Sequence, residues 1–195
     1  MTKMFFTSDL HLGHDKEFIY KPRGFNTVKE HDAAIIERWN KVVNREDTVY
    51  ILGDLIMNDQ EAGIEKLKQL NGKKIMIYGN HDTTNKVAKY RSIGIKDLGY
   101  ASVFRYKNID FYLSHYPTLT DYFYYNSSIK NSIINLHGHT HKKETFGQIV
   151  NPFIYNVALD AHDCAPVDIE QIILDIKREC ERYREIIDKI NEVKN

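Results

Sequence analysis

Five short apolar runs of this chain end directly in side chains that can bind a metal ion, and no other feature constrains the fold as strongly. The five endings are Asp9-Leu10-His11, Gly53-Asp54, Gly79-Asn80-His81-Asp82, Ser114-His115 and His137-Gly138-His139-Thr140-His141. In open α/β sheets, ligands bind beyond the carboxyl ends of the strands. We therefore expect segments that are far apart in the sequence to converge on one cleft.

The apolar runs have the β-branched and aromatic composition of strands, and amphipathic segments separate several of them. Strands are predicted at residues 4–7, 48–52, 74–78, 102–106, 109–113, 133–136 and 154–158. Thr27 and Glu30 form a capping box for a helix that runs to about residue 43, and Asp59 can cap a second helix that ends before Gly72. Strands and helices alternate in the first half, and Lys107-Asn108 suits a hairpin turn in the second. This pattern predicts an α/β fold with mixed sheets.

The ligand types narrow the chemistry of the predicted cleft. Carboxylate, imidazole and amide groups without thiolates are typical of sites for Mn, Fe, Zn, Co or Ni. Asp-x-His and His-x-His each place two side chains on one side of an extended segment, which suits chelation of one ion or bridging of two. Gly53, Gly79 and Gly138 precede ligand candidates, where glycine permits sharp turns and close backbone approach. The cofactor that we expect is a pair of divalent ions, and manganese is the favoured metal.

In this order, the five motifs resemble the signature of the calcineurin-like metallophosphoesterase superfamily, and the resemblance spans Asp9 to His141. It implies a four-layer αββα sandwich, in which helices flank two packed mixed sheets. It also implies that Asp9, His11 and His141 hold one metal ion and that Asn80, His115 and His139 hold the other.

The resemblance further implies that Asp54 bridges the two ions and that His81 contacts the scissile phosphate without binding metal. His81, Asp54 and Asn80 are thus the expected catalytic residues. A centre that contains two divalent ions, the carboxylates of Asp9 and Asp54 and one bridging hydroxide has about one net positive charge. This charge favours a phosphate substrate. The expected reaction is in-line attack by that hydroxide on a phosphate ester, with a phosphodiester preferred. His81 would protonate the leaving oxygen.

Charge and composition narrow the partners. The 195 residues include 27 Lys plus Arg and 27 Asp plus Glu, so no overall field attracts extended nucleic acid or a membrane surface. We expect a small phosphorylated substrate, nucleotide-like compounds included. The cysteines Cys164 and Cys180 form no paired pattern, and no apolar run has the length of a signal peptide or membrane span. These features predict a cytoplasmic protein of one domain, residues 1–195.

Residues 168–195 have the apolar spacing of an amphipathic C-terminal helix with a heptad seam. The seam residues are Ile169, Ile173, Ile176, Cys180, Tyr183, Ile187 and Ile190. We favour a helix that lies on the domain, because the repeat covers barely three heptads. The alternative is a contact that forms a homodimer.

Several polar residues near the motifs allow two interpretations. His14 and Arg23 are candidate substrate-binding residues. His14 could contact phosphate at the cleft mouth or support a ligand, and a solvated loop histidine is equally common. For Arg23, as for Lys21, a solvated surface position is favoured. His137 suits a packing role better than that of orienting a ligand, and His31 needs no function on its capped helix. Asp160, His162 and Asp163 follow the last predicted strand, either as partners of ligands or as turn residues.

The aromatic segment 116–125 also has two interpretations. Its rings could stack a nucleobase, but packing of the loop under a helix is favoured, because aromatic rings are ordinary core material.

Other functions compete with that of a small-molecule phosphoesterase. The phosphoprotein phosphatases of the superfamily carry Asp-Arg-Gly after Gly-Asp, whereas this chain has Leu55 after Asp54. Nucleases of the superfamily resemble Gly-Asp-Leu here, but this chain lacks a basic surface composition. A non-catalytic interaction module is a third class, against which the complete set of ligand types counts. A metallo-β-lactamase fold would need His-x-His-x-Asp-His, and in the segment from His137 to Lys142 both that Asp and the His after it are missing.

Overall fold

Two mixed sheets form the framework of the protein. The computed structural model describes residues 2–124, 126–147 and 151–193. The strands are β1 (Met4–Thr7), β2 (Thr48–Ile51), β3 (Lys73–Met76), β4 (Lys96–Asp97), β5 (Ala101–Tyr106), β6 (Ile109–Ser114), β7 (Ile133–His137), β8 (Ile154–Asn156) and β9 (Val167–Asp168). The first sheet has the order β4-β3-β2-β1-β9 and the second the order β5-β6-β7-β8. The expected pair of mixed sheets is confirmed.

Each sheet is mainly parallel with one antiparallel edge strand. In the first sheet β9 runs antiparallel to β1, and in the second β5 runs antiparallel to β6. The turn between β5 and β6 contains Lys107 and Asn108, whose φ angles are 48° and 62°. Positive φ at both central residues is the requirement of a type I′ turn, so the predicted hairpin is confirmed.

The helices are α1 (Glu17–Tyr20), α2 (Val28–Val42), α3 (Gln60–Lys68), α4 (Thr84–Ser92) and α5 (Ile169–Val193). Their caps follow the sequence. The Thr27 hydroxyl accepts the backbone N–H of Glu30 at 3.1 Å, and the Asp59 carboxylate accepts those of Glu61 and Ala62. The predicted α2 and α3 are therefore present. Helices α1 and α4 were not predicted, because α1 has four residues and α4 buries few apolar ones.

Alternation along the strands divides the core into two clusters. Phe5 faces a cluster that α2, α3 and α4 complete with Trp39, Leu67 and Tyr90. Phe6, the next residue, faces the other cluster, which contains the apolar side chains of the second sheet and of α5. Because successive strand residues point to opposite faces, one sheet separates the two clusters.

The register of the parallel strands brings their carboxyl ends to one edge. In the first sheet Thr7 pairs with Ile51, and Ile51 pairs with Met76. In the second sheet Leu113 pairs with Leu136. A further bridge between Ser8 and Ala158 joins the two sheets at this edge. All five polar motifs leave the strands there.

The C-terminal helix lies on the protein along most of its length. The seam residues Ile169, Ile173, Ile176, Cys180 and Tyr183 are buried. Beyond them Ile190 is 48% exposed, so the last turns do not belong to the core. None of the helices in the described ranges has both the length and the apolar character needed to cross a bilayer.

Candidate metal centre

The strand exits that carry the ligand candidates adopt an uncommon backbone conformation. Asp9, His11, Asp54, His139 and His141 all have positive φ, between 47° and 68°. Non-glycine residues rarely adopt this conformation, because it is strained by about 1–3 kcal/mol. Backbone hydrogen bonds hold it in place: the N–H of Asp9 donates to the Gly53 carbonyl and that of His11 to the Asp54 carbonyl, each at 3.0 Å. Such clustered strain is typical of functional sites.

The first group of candidate ligands contains Asp9, His11 and His141, whose ligand atoms lie within 4.8 Å of one another. The Nε2 atoms of His11 and His141 are each 3.7 Å from Asp9 Oδ1. Asp54 Oδ2 is 3.6 Å from Nε2 of His11, so it adjoins this group. We call Asp9, His11 and His141, together with Asp54, the first subsite.

The second group contains Asn80, His115 and His139. Asn80 Oδ1 lies 2.9 Å from His115 Nε2 and 3.0 Å from His139 Nδ1, and the two nitrogens are 3.2 Å apart. Ligands bound octahedrally at about 2.1 Å from one ion stand about 3 Å from their neighbours. These three atoms thus have the spacing of one face of a coordination shell. We call Asn80, His115 and His139, together with Asp54, the second subsite.

Asp54 lies between the two subsites. Its Oδ2 atom is 3.6 Å from His115 Nε2, the same distance as from His11 Nε2. Asp9, Asp54 and His115 also meet within 4.8 Å. The structure thus brings together all seven residues that the family resemblance assigned to two metal ions.

Unsatisfied buried atoms show that a cation fits here. Within the described residues, Asp9 Oδ1 and His11 Nε2 are buried and have no hydrogen-bond partner. Leaving such atoms unpaired is costly, whereas a bound cation would satisfy both. Burial would raise the pKa of Asp9, but His11, His115 and His141 outweigh it and lower the pKa to about 2. Burial lowers the pKa of His11, which leaves its imidazole neutral and able to bind a cation.

Two glycines make the close approach of the ligands possible. A Cβ on Gly79 would stand 2.1 Å from Asp54 Oδ1, and one on Gly138 would stand 2.3 Å from Asp9 Oδ2. Both distances are far below contact. Any side chain at these positions would displace a carboxylate, as the sequence led us to expect.

His81 lies on the open side of the centre. Its side chain is 42% exposed, and Nε2 is 3.9 Å from Asp54 Oδ2. Its backbone N–H donates to Asp54 Oδ1 at 2.9 Å. The buried ammonium of Lys86 donates to the carbonyls of His81 and Ile56, at 2.9 and 2.7 Å. The main chain of His81 is thereby fixed while its ring reaches solvent.

The structure places neither candidate substrate-binding residue in a solvated loop: His14 has the supporting position beside a ligand candidate, and Arg23 lies in a buried ion pair. His14 is only 7% exposed, and its Nδ1 is 3.3 Å from Nδ1 of His11, so it lies behind a ligand rather than in a solvated loop at the cleft mouth. The Arg23 side chain is 1% exposed and pairs with Asp160. It is therefore neither solvated nor directed at a substrate. By contrast, Lys21 lies at the surface and pairs with Glu17.

The other residues for which the sequence allowed two interpretations lie in different environments. His137 is buried, with Nδ1 2.9 Å from the Gly138 carbonyl oxygen, as a packing role requires. Asp160 contacts His141, whereas Asp163 is 91% exposed and pairs with Arg38.

The aromatic segment has members in two different environments. The Phe123 ring packs on Tyr183 of α5, which is the packing of the loop under a helix that the sequence favoured. Tyr116 instead lies against the second subsite, with its ring centre 4.5 Å from that of His139. Tyr125 lies outside the described residues.

Sequence reasoning missed the residues that join the site loops. Asp82 accepts the N–H groups of Asp54 and Gly79, and Lys86 has the two carbonyl contacts described above. The position of Asp82 in the Gly79-Asn80-His81-Asp82 motif was the available signal. Lys86 carried none.

Comparison with known proteins agrees with this geometry. The sequence profile of the calcineurin-like phosphoesterases matches residues 2–169. The Gene 66 protein of Mycobacterium phage D29 is 31% identical and aligns with 91% of this chain and 98% of its own length. An uncharacterized protein of Methanocaldococcus jannaschii is also 31% identical, over 89% of this chain and 90% of its own.

A solved structure shares the fold. It is a protein of unknown function from Aquifex aeolicus, with a TM-score of 0.64 and 23% identity, covering 88% of this chain and 98% of its own. At this identity it supports the fold alone. The profile match covers most of the sequence, and this chain therefore belongs to the calcineurin-like phosphoesterase family.

Proposed function

We propose that this protein hydrolyses a small phosphate ester, with a phosphodiester as the preferred substrate, at a centre that holds two divalent cations. The observation that carries the proposal is the convergence of seven ligand candidates on two adjoining subsites that share Asp54. Carboxylate, imidazole and amide ligands favour manganese, with iron, zinc, cobalt and nickel as alternatives.

The chain itself supplies the arrangement for the reaction. Two divalent ions at this centre would supply an activated water and neutralise negative charge on the phosphate. The residues of both subsites direct their ligand atoms to one small volume, and the two buried carboxylates Asp9 and Asp54 set its charge. Net positive charge in the occupied centre favours an anionic substrate.

His81 is suited to protonate the leaving oxygen. The ring stands beside Asp54 on the exposed side, where a substrate phosphate can enter. Proton donation by a positioned histidine contributes about 10²–10⁴-fold to a rate. Lys86 and the bond from the His81 N–H to Asp54 keep the ring from moving away with its loop.

Two aromatic rings at the rim support a substrate with an aromatic or nucleotide-like group. Tyr116 is 50% exposed and packs against His139. On the side of the first subsite, Phe18 is 70% exposed and its ring lies 5.6 Å from that of His14. Base–aromatic stacking stabilises binding by about 1–3 kcal/mol, so either ring would favour such a substrate.

Hydrolysis of bis-p-nitrophenyl phosphate and p-nitrophenyl phosphate by the manganese-loaded protein tests this function. We expect faster turnover of the diester, its loss on chelation and its recovery when manganese is restored. His81→Ala should lower kcat at least about 100-fold and still bind two ions per chain. Absence of turnover with every metal in the set, in protein that binds two ions, would overturn the proposal in favour of an interaction module.

A further inference from the structure

A buried ion pair stands directly behind the first subsite. Asp160 accepts two hydrogen bonds from Arg23, from Nε to Oδ1 at 3.0 Å and from Nη2 to Oδ2 at 2.6 Å. The exposed fractions of the two side chains are 6% and 1%. The same Oδ2 atom lies 3.2 Å from Nδ1 of His141. One carboxylate is thus shared between an arginine and a candidate metal ligand.

This contact fixes the tautomer of His141. The two hydrogen bonds from the Arg23 guanidinium hold Asp160 as an ionised carboxylate. An ionised carboxylate can only accept, so Nδ1 of His141 must carry the proton. In the neutral ring, Nε2 then keeps its lone pair, and Nε2 is the atom that faces Asp9.

Arg23 reaches a second ligand candidate through the main chain. Its Nη2 donates to the carbonyl oxygen of Asp9 at 2.8 Å. Asp9 has a positive φ of 58°, and a charged donor on its carbonyl helps to hold that conformation. Arg23 therefore contacts the backbone of one ligand candidate and, through Asp160, the side chain of another.

The pair is anchored on helix α2. Arg23 Nη1 lies 2.9 Å from His31 Nε2, and because arginine only donates, that nitrogen accepts. His31 Nδ1 then donates to Asp32 Oδ1 at 2.9 Å. Asp32 Oδ2 also accepts from the Gly13 N–H and from Lys66 Nζ. His31, to which the sequence analysis assigned no function, is thus the link between the ion pair and the helix.

We propose that Arg23 and Asp160 are positioning residues for the first subsite, which set the tautomer and direction of His141 and the backbone of Asp9. The inference rests on the proposed function, because it presupposes that His141 binds a metal ion. A carboxylate behind a metal-binding histidine strengthens the ligand and orients its ring. Loss of this support weakens one subsite and leaves Asn80, His115 and His139 unaffected.

Calorimetric titration of the metal-free protein with manganese tests the proposal without an activity assay. The wild type should bind two ions, and Asp160→Asn should bind one of them 10–100-fold more weakly and the other unchanged. Since this variant leaves Arg23 buried without its partner, the double variant Arg23→Gln, Asp160→Asn keeps the net charge and should show the same selective loss. Asp160→Glu should restore part of the affinity.

A matched control uses the pair of Arg105 and Asp110. It has the same two-bond geometry on the β5–β6 hairpin, away from the ligand candidates. Asp110→Asn should leave both manganese affinities unchanged. Histidine ¹⁵N spectra of the metal-free wild type should show His141 protonated at Nδ1.

The proposal is overturned if a folded double variant binds both ions as the wild type does, or if His141 carries its proton on Nε2. Failure of the proposed function would look different. The wild type would then bind two ions and show the selective loss in the variants, yet hydrolyse no ester.

Discussion

The carboxylate of Asp82 accepts the backbone N–H of Asp54 at 2.7 Å. The same oxygen accepts the N–H of Gly79 at 2.9 Å, and the other oxygen accepts from Leu55 at 3.3 Å and from the Tyr90 hydroxyl at 3.2 Å. Asp82 thus joins the loops that follow β2 and β3, and these loops carry Asp54 and Asn80.

Replacing Asp82 should affect stability according to what the new side chain can accept. Asp82→Ala leaves the buried N–H groups of Asp54 and Gly79 unpaired, which costs about 3 kcal/mol. Asp82→Asn keeps an acceptor for both and should cost about 1 kcal/mol. Burial, together with the charge of Asp54, raises the pKa of Asp82, so a neutral isostere avoids the cost of burying the charge.

Urea unfolding of the metal-free variants at pH 7 measures these costs. Manganese titration in parallel should show weaker binding in Asp82→Ala, because Asp54 loses its support. Equal stability of the Ala and Asn variants would show that the carboxylate does not join the two loops.

Gly138→Ala should reduce metal binding without unfolding the protein. The new Cβ would stand 2.0 Å from Ser8 Oγ and 2.3 Å from Asp9 Oδ2, so Asp9 must move out of the first subsite. We expect manganese affinity at that subsite to fall at least about tenfold, in line with the sensitivity of metal sites to ligand placement. Manganese titration of the folded variant measures the change.

Gly94→Ala separates this effect from backbone strain. Its φ is +86°, and no atom lies within 4 Å of the added Cβ. It should lower the free energy of unfolding by about 1–2 kcal/mol and leave metal affinity unchanged. Equal metal affinities in the two glycine variants would contradict the steric explanation.

The ring of Tyr116 should determine the affinity for aromatic substrates. Tyr116→Ala removes the exposed ring beside His139 and should raise KM for bis-p-nitrophenyl phosphate about tenfold, the equivalent of one stacking contact. The value of kcat should change little, because proton donation is assigned to His81 and not to Tyr116. Tyr116→Phe keeps the ring and should behave as the wild type.

Tyr122→Ala is the matched control for this prediction. Tyr122 is 60% exposed in the same segment, but its ring packs near Tyr124 rather than near a ligand histidine. Steady-state kinetics of the three variants measure KM and kcat and so test whether the ring beside His139 contributes to binding. A similar rise of KM in the Ala variants of Tyr116 and Tyr122 would show that the segment, and not the ring at His139, affects binding.

The ligand candidates could be identified from the sequence because each stands shortly after a recognisable strand. Asp9, Asp54 and Asn80 follow β1, β2 and β3 within four residues, and parallel strands place such exits at one edge. The seven main strands were found for the same reason. By contrast, β4 and β9 have two residues each, too few for an alternation to show.

The contacts that hold the ligand candidates in place could not be predicted from the strand pattern. Arg23 and Asp160 are 137 positions apart, and no sequence pattern links the two, although Asp160 was a candidate partner of a ligand. The bridge between Ser8 and Ala158 and the hydrogen bond from Leu159 N–H to the Ser8 carbonyl bring the segment of Asp160 to the candidate metal centre. Pairing of this kind depends on tertiary contacts and leaves no periodic signal.

Asp97 should make the stability of the protein depend on pH in the acid range. Hydrogen bonds from Arg91 and Tyr78 lower the pKa of this carboxyl from 3.8 to about 2. A carboxyl with a lowered pKa in the folded state stabilises the fold when ionised, and this contribution is lost as the pH falls through the folded value. The contribution is therefore full above about pH 4 and disappears towards pH 2.

Unfolding of the metal-free wild type and of Asp97→Asn by urea, from pH 7 down to pH 2.5, measures this contribution. At pH 7 the variant should be less stable by about 1 kcal/mol, the upper end for pairs near the surface, because Arg91 bonds the carboxylate through two nitrogens. The difference should shrink between pH 4 and pH 2.5. A difference that stays constant or grows on acidification would mean that the ionised Asp97 is not what stabilises this edge of the sheet.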